Sequence, residues 1–244
     1  THNVFGTNVG NFMYVYGVLN AICEEGFEIK SNYYKYDIDI DEINETCDCF
    51  IIPLADALRE NFMGELKKIT KVVKKLKIPC VVTSIGLRAP ADFDPASGMP
   101  FDNDVKAFVN AVLEKSGCIG VRGKITGDHL GFLGYKEGED YMAVGCSSMY
   151  SFGNRLKIRD LELKEDSLVA VNSNPSLPDD GQKFIYDSMN MFNNKVFIGQ
   201  VTQELKLSYV GAPYTAPKSE YYPVRTILDP LYREGRTRFF TNIP

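Results

Sequence analysis

The sequence predicts an α/β protein: a Rossmann-like parallel sheet with helices on both faces, followed by a second, incomplete Rossmann-like unit. Three observations support this class. Short runs rich in β-branched residues alternate with longer amphipathic stretches along the chain. The runs are continuously apolar, which is typical of strands buried on both faces of a parallel sheet. The second series has two clear runs and ends at TRFFTNIP, where a third strand is expected.

The elements follow in a strand, helix, strand order that favours right-handed crossovers. Helical periodicity of apolar residues separates the runs, and the first helix opens directly after an asparagine-rich turn. The region 201–222 is rich in proline and tyrosine and predicts an irregular connection. The predicted strands are 47–54, 79–87, 118–123, 141–146, 167–173 and 195–199, and the predicted helices are about 10–25, 56–77, 102–116, 124–134, 181–193 and 223–233.

A polar stretch of alternating charge, SFGNRLKIRDLELKEDS at 151–167, separates the two series of strands. Such a stretch is typical of a linker between domains. The sequence therefore predicts an N-terminal Rossmann-like domain at 1–158. Residues 159–244 are predicted to be the start of a second Rossmann-like domain, which would be truncated at the end of the chain.

Composition narrows the class of function. Hydrophobic residues make up 44% of the chain and charged residues 24%, as in an ordinary globular protein. The net charge of −5 argues against a nucleic-acid partner, because such proteins carry a basic excess. The lysines of GELKKITKVVKKLKIP fall opposite an apolar helical stripe, which favours a solvated helix face over a phosphate-binding patch.

The six cysteines form no CxxC pair, and His2 and His129 are the two histidines. This set predicts neither a metal site nor a cofactor. Cys80 and Cys118 lie in apolar runs and are expected to be buried. Scattered cysteines, with no signal peptide and no membrane span, indicate a reduced, cytoplasmic compartment. The chain begins at Thr1, so a different natural N-terminus is expected.

The turn GTNVGN precedes the first predicted helix, and it lacks the glycine spacing of a dinucleotide fingerprint and the lysine of a P-loop. Asn8 and Asn11 would lie at the mouth of this helix, where free backbone N–H groups and the helix dipole favour an anion. The alternative is that either asparagine only caps the helix. Both interpretations remain open.

Polar residues also follow the later strands: Arg88, Arg122 and Ser147 come just after three buried runs. The carboxyl ends of parallel strands share one edge of the sheet, which is where α/β proteins bind ligands. We therefore predict that these three residues, with Asn8 and Asn11, bind an anionic or hydroxyl-rich substrate. The alternative for each is a local structural role, which we favour for Asp102 as a helix cap. His129 is expected to be a half-exposed structural histidine beside Asp128, although a catalytic role stays open.

The segments GTNVGNFMYVYGVLNAI, CDCFIIPLADAL, IPCVVTSIGLRAP and GVRGKITGDHLGFLGY, with the VGCSSMY strand end, resemble the polysaccharide pyruvyl transferase family. The resemblance covers about the first 150 residues. It implies a glycosyltransferase B-like fold and transfer of a pyruvyl group from phosphoenolpyruvate to a sugar hydroxyl of a polysaccharide or its precursor. Arginines and amides suit this donor, because it carries a carboxylate and a phosphate.

Two departures from the family pattern leave rival functions open. The family's Arg-x-His-Gly motif is absent, and Pro53 stands where a glycine is usual. Either the protein continues beyond Pro244, or it has lost the family chemistry, so the catalytic residues stay unknown. The rivals are a sugar- or nucleotide-sugar-binding module without turnover and a glycosyltransferase B enzyme with a nucleotide-sugar donor.

Overall fold

The computed structural model describes residues 10–32, 36–155, 157–158, 160–173, 177–199, 201, 219, 221 and 238–241. The protein is α/β, with small parallel sheets and helices, as the sequence predicts. The chain divides into two compact units: Met13–Leu156, and Thr1–Phe12 together with Lys157–Pro244. Whether each unit is a separate domain stays a prediction.

The described part of the larger unit contains four short parallel strands. β1 (Phe50–Pro53) pairs with β2 (Cys80–Thr83), and β3 (Ile119–Val121) pairs with β4 (Tyr141–Ala143). A parallel bridge between Ile85 and Val121 connects the two pairs, so the strands follow one another in space as they do in sequence.

Among the described residues, five helices lie wholly or mostly in this unit: α1 (Gly10–Ile22), which enters it at Met13, α2 (Ile40–Thr46), α3 (Met63–Lys75), α4 (Asp102–Leu113) and α5 (Lys124–Phe132). Three 3₁₀ segments lie at Glu60–Phe62, Pro95–Ser97 and Ser147–Arg155. Among the described residues, no helix combines the length and the apolar character needed to cross a lipid bilayer.

One face of the sheet carries the core. α3, α4 and α5 bury apolar side chains such as Leu66, Phe108 and Leu130 against the strands. Each such side chain contributes about 1.5–3 kcal/mol through removal from water. On the other face, Val81 remains 40% exposed and Met142 53% exposed.

The lysine-rich helix confirms its predicted amphipathic character. α3 buries an apolar stripe that includes Ile69 and Val73, and its lysines are exposed. Lys67 pairs with Asp104 of α4 at 3.1 Å, and Lys68 pairs with Glu65 at 2.7 Å. These ion pairs are surface contacts of small energetic value.

The second unit has a three-stranded parallel sheet in the order β5, β6, β7. β5 (Val169–Val171) and β6 (Lys195–Gly199) flank α6 (Asp179–Asn190), and β7 (Arg238–Thr241) pairs with β6. The strand expected at TRFFTNIP is therefore confirmed. The predicted helix 223–233 lies outside the described residues, as does most of the connection 201–222.

Some sequence-based details are wrong. α3 begins at Met63 rather than near 56, because Leu58 forms a parallel bridge with Leu87. The sequence did not predict α2, a helix of 7 residues whose first turn is capped by the Asp39 side chain. Cys80 is buried as predicted, but Cys118, the residue before β3, is only partly buried.

Candidate functional site

The candidate site is the carboxyl-terminal edge of the sheet in the larger unit. We call this edge the rim and define it by the segments that follow the four strands, 54–59, 84–88, 122–123 and 144–147. Backbone hydrogen bonds join neighbouring segments. Arg88 N–H donates to Leu58 O at 3.0 Å, Arg122 N–H to Ile85 O at 2.8 Å, and Val144 N–H to Val121 O at 2.8 Å.

Ser84 bends the chain where β2 enters the rim. It is fully buried and has a φ of 61°, a left-handed conformation that costs a residue with a side chain about 1–2 kcal/mol. The register changes here, because Pro53 pairs with Thr83 whereas Leu58 pairs with Leu87. Between these two pairs, the four residues 54–57 therefore lie opposite the three residues 84–86, as in a β-bulge.

Arg122 lies across the middle of the rim. A Cβ built on Gly86 would lie 3.4 Å from Arg122 Cδ and 3.5 Å from both Arg122 Cβ and Ala55 O. The arginine stem therefore uses the space left by the missing side chain of Gly86. Its Nε atom is buried and has no hydrogen-bond partner within the described part of the chain. A buried donor of this kind costs about 1–3 kcal/mol unless an acceptor binds it.

Arg88 and Arg59 occupy neighbouring positions on adjacent segments. Leu58 and Leu87 are paired and pack in or against the core, so the residues that follow them face away from it. Arg59 donates to Asp56 at 2.8 Å and lies over the Phe62 ring, 5.5 Å from its centroid. Arg88 is exposed and forms no ion pair with any residue that the structure describes.

Ser147 lies just beyond β4 and is 2% exposed. Its Oγ atom has no hydrogen-bond partner among the described residues. The backbone here lies tightly against α1, since a Cβ on Gly17 would lie 1.9 Å from Ser147 O. Asn20 Nδ2 also donates to Tyr150 O at 3.0 Å. Close packing therefore holds Ser147 in place and leaves it little access to solvent.

α5 begins at Lys124, two residues after Arg122, and presents its amino-terminal end at the rim. Gly123 is the cap residue, and no side chain in the described part of the chain caps the helix. The first turn holds no acidic residue, and Lys124 pairs with Asp128 at 2.7 Å. The exposed N–H groups and the helix dipole favour a bound anion at such an end.

The two asparagines fall outside the compact unit that contains the arginines. Asn8 lies outside the described residues. Asn11 is half-buried in the first turn of α1 and belongs to the other compact unit. Their participation in one site with Arg88, Arg122 and Ser147 stays a prediction.

His129 and Asp102 differ from their predicted roles. His129 is fully buried rather than half-exposed, and its Nε2 atom lies 2.8 Å from Asp102 Oδ1 rather than beside Asp128. Phe101, not Asp102, is the cap residue of α4. Asp102 Oδ2 instead accepts a hydrogen bond from Met99 N–H at 2.8 Å. The contact with His129 is tertiary, and local sequence patterns do not show it.

Sequence reasoning did not identify Arg59 or Thr126. Arg59 follows the buried run of β1, which is the same signal that identified Arg88 and Arg122. Thr126 Oγ1 accepts a hydrogen bond from Leu87 N–H at 3.0 Å, a contact across 39 positions of the chain. In the described ranges, His, Cys, Asp and Glu side chains form no group of three that could hold a metal ion.

The strongest pKa perturbation lies at the opposite end of β2 from the rim. Burial raises the pKa of Cys80 to about 12, and Cys49 adds a smaller effect in the same direction. A thiol with so high a pKa stays protonated and is a poor nucleophile. Cys80 is therefore not a candidate nucleophile.

The rim combines features that bind oxyanions. It offers the guanidinium groups of Arg88 and Arg122, the start of α5 at Gly123, and buried donors that have no acceptor among the described residues. Arginine pairs with carboxylate and phosphate through two parallel hydrogen bonds, so a small ligand with such groups fits this edge. Comparison of the chain with protein-family models, curated proteins and solved structures finds no match.

Proposed function

We propose that the protein is a polysaccharide pyruvyl transferase-like enzyme with two Rossmann-like halves in a glycosyltransferase B-like arrangement. It would move a pyruvyl group from phosphoenolpyruvate to a sugar or polysaccharide acceptor. The observation that carries the proposal is the buried Nε of Arg122, which has no acceptor among the described residues and lies close in sequence to the start of α5. The resemblance of the rim sequences, TSIGLRAP and GVRGKIT, supports the same donor.

The proposed reaction makes a ketal. Two sugar hydroxyl oxygens form bonds to C2 of phosphoenolpyruvate while the C2–O bond to phosphate breaks. One hydroxyl proton ends on the methylene carbon, which becomes a methyl group, and the other ends on the released phosphate. Arg88 and Arg122 would bind the carboxylate and phosphate, and they would stabilise the negative charge that develops on the departing phosphate.

A second candidate, a sugar- or nucleotide-sugar-binding module without turnover, is favoured by one observation. Asp56 is the only carboxylate in the rim segments, and it is already bound to Arg59. His129 is fully buried and cannot reach a ligand at the rim. The described rim therefore offers anion-binding groups but no free carboxylate or histidine to transfer a proton.

Calorimetric titration with phosphoenolpyruvate tests the proposal. The parent protein should bind it, and Arg122→Ala and Arg88→Ala should each weaken binding about tenfold or more, since a charged hydrogen bond is worth about 1.5–3 kcal/mol. Lys71→Ala, on the exposed face of α3, removes one positive charge away from the rim and should bind like the parent. Unchanged affinity in both arginine variants would remove these residues from the site.

Turnover distinguishes the two candidates. The protein is incubated with phosphoenolpyruvate and a sugar or nucleotide-sugar acceptor, and released phosphate is measured together with the methyl signal of the ketal. An enzyme gives both products in equal amounts. A binding module retains phosphoenolpyruvate or the sugar without releasing phosphate.

A further inference from the structure

The loop 88–101 connects the rim to α4 and begins with Arg88. Two contacts from α5 hold this loop, one at Leu87 immediately before Arg88 and one at Pro95 in the middle of the loop. α5 itself starts at Lys124, two residues after Arg122. α5 therefore contacts the chain before and after Arg88, and it begins close to Arg122 in the sequence.

The first contact is the hydroxyl of Thr126. Its Oγ1 atom accepts the hydrogen bond from Leu87 N–H at 3.0 Å, and the residue is 5% exposed. Leu87 directly precedes Arg88, whose own N–H donates to Leu58 O. The backbone at the base of the loop is thus bonded to α5 on one side and to the segment after β1 on the other.

The second contact is the imidazole of His129, which is fully buried. Its Nδ1–H donates to Pro95 O at 2.9 Å, and Nε2 lies 2.8 Å from Asp102 Oδ1. Phe93 packs edge-on against the ring, with centroids 5.7 Å apart. Asp102 Oδ2 accepts from Met99 N–H, so one ring and one carboxyl group connect α5 to both the loop and the start of α4.

The hydrogen-bond pattern fixes one proton between His129 and Asp102. A carbonyl oxygen only accepts, so Nδ1 must carry a proton for Pro95. Nε2 and Oδ1 then need one further proton to bond at 2.8 Å. An asparagine at 102 would supply it, because its amide N–H donates to a neutral Nε2 while its carbonyl accepts from Met99. This substitution can therefore preserve the contact while it removes the charge.

Thr126 and His129 are three residues apart, so they lie on the same face of α5. We infer that Thr126 and His129, with Asp102, are positioning residues that fix Arg88 relative to Arg122 for binding of the ligand's anionic groups. This inference rests on the proposed function. Neither residue on α5 touches the ligand; both act through the position of Arg88.

The test compares two disruptive variants with two conservative ones. Asp102→Ala and Thr126→Val each remove an acceptor, whereas Asp102→Asn and Thr126→Ser keep it. Asp104→Ala is the matched control, since it removes the same charge from the same helix at a site that pairs with Lys67. All measurements are made on the full chain at a temperature where each variant is folded.

Two quantities are measured. Without ligand, hydrogen exchange reports the opening of the Arg88 N–H and of the loop amides. With ligand, calorimetry reports the affinity for phosphoenolpyruvate. We expect the disruptive variants to exchange faster and to bind about tenfold more weakly or worse, because small misplacements of binding groups have large effects. The conservative variants and Asp104→Ala should behave like the parent.

The outcomes separate the inference from the proposed function. Faster exchange with unchanged affinity overturns the positioning role, and so does unchanged exchange in both disruptive variants. If the parent itself binds no phosphoenolpyruvate, the proposed function fails. In that case the exchange rate of the Arg88 N–H decides the inference alone. Faster exchange in Asp102→Ala and Thr126→Val, with the parent's rate in Asp102→Asn and Thr126→Ser, supports the inference. Any other pattern rejects it.

Discussion

At Gly86 the chain has no side chain, and the stem of Arg122 occupies the space beside it. A methyl carbon at this position would lie 3.4 Å from Arg122 Cδ and 3.5 Å from Ala55 O, which are ordinary van der Waals contacts. A single methyl group therefore fits, but a branched side chain does not fit without moving the arginine. One small residue thus controls where a charged group lies at the rim.

We expect the loss of ligand affinity to grow with the size of the side chain at position 86. Gly86→Ala should change the affinity for phosphoenolpyruvate by less than about twofold, whereas Gly86→Val should weaken it by about tenfold because it displaces Arg122. Calorimetry on both variants is the measurement. Gly117→Val adds the same bulk in open space and serves as the control. Equal affinities for Gly86→Val and the parent would show that the position of Arg122 is irrelevant to binding.

The sequence predicts the location of a residue when the signal is local. It does not predict a contact between residues that are far apart along the chain. Arg88 and Arg122 follow buried runs, so strand patterns alone place them at the sheet edge. Local patterns suggest local roles for Asp102 and His129, yet these two residues bond to each other across 27 positions. Such a contact depends on how α5 packs against the loop, and a linear pattern contains no signal for it.

At the scale of elements, α1 and the segment Ser147–Arg155 form the tightest junction described. The ideal Cβ position at Gly17 lies 1.9 Å from Ser147 O and 2.7 Å from Ser147 C, both backbone atoms. A backbone atom cannot rotate away as a side chain can. Glycine at 17 is therefore required for α1 to lie where it does.

Alanine substitutions at two helical glycines test this junction. Gly17→Ala should destabilise the protein by about 1–3 kcal/mol, because the clash outweighs the gain of up to about 1 kcal/mol in helix propensity. Gly64→Ala in α3 meets nothing within 4 Å and should stabilise it by about 0.5 kcal/mol. Urea unfolding measures both. Equal stability of the two variants would contradict the packing of α1.

Element boundaries are harder to predict than element types. The sequence predicts a strand at 47–54, but β1 spans Phe50–Pro53 and the sheet pairing resumes at Leu58 after a bulge. The pattern does not reveal α2, because its 7 residues show little periodicity. Asn44 anchors this helix by donating to Lys75 O and accepting from Lys77 N–H. Tertiary bonds of this kind stabilise a helix that its own sequence only weakly favours.

At the scale of the whole molecule, buried acidic groups connect stability to pH. Burial raises the pKa of the Cys80 thiol to about 12 from its usual value of 9.0. Between these two values the unfolded chain loses this proton while the folded protein keeps it. The contribution of Cys80 is therefore fully present below about pH 9 and is lost as the pH rises towards 12.

The slope of stability against alkaline pH checks this linkage. One such group makes the free energy of unfolding fall by about 1.4 kcal/mol per pH unit in that window. Partly buried tyrosines with raised pKa values, such as Tyr135, contribute in the same direction, so the variant is compared with the parent. Cys80→Ala should show a shallower slope, and Cys23→Ala, which is exposed, should match the parent. Identical slopes in all three proteins would refute the assignment to Cys80.

The order of the strands in the larger unit affects how its sheet can fold during synthesis. β1 pairs with β2, the bridge from Ile85 leads to β3, and β3 pairs with β4, so each described strand joins the one made just before it. Loop closure between neighbours spans a few tens of residues, which keeps its entropic cost small. A nascent chain leaving the ribosome can therefore extend this sheet one strand at a time, and no strand must wait for a partner from the far end of the unit.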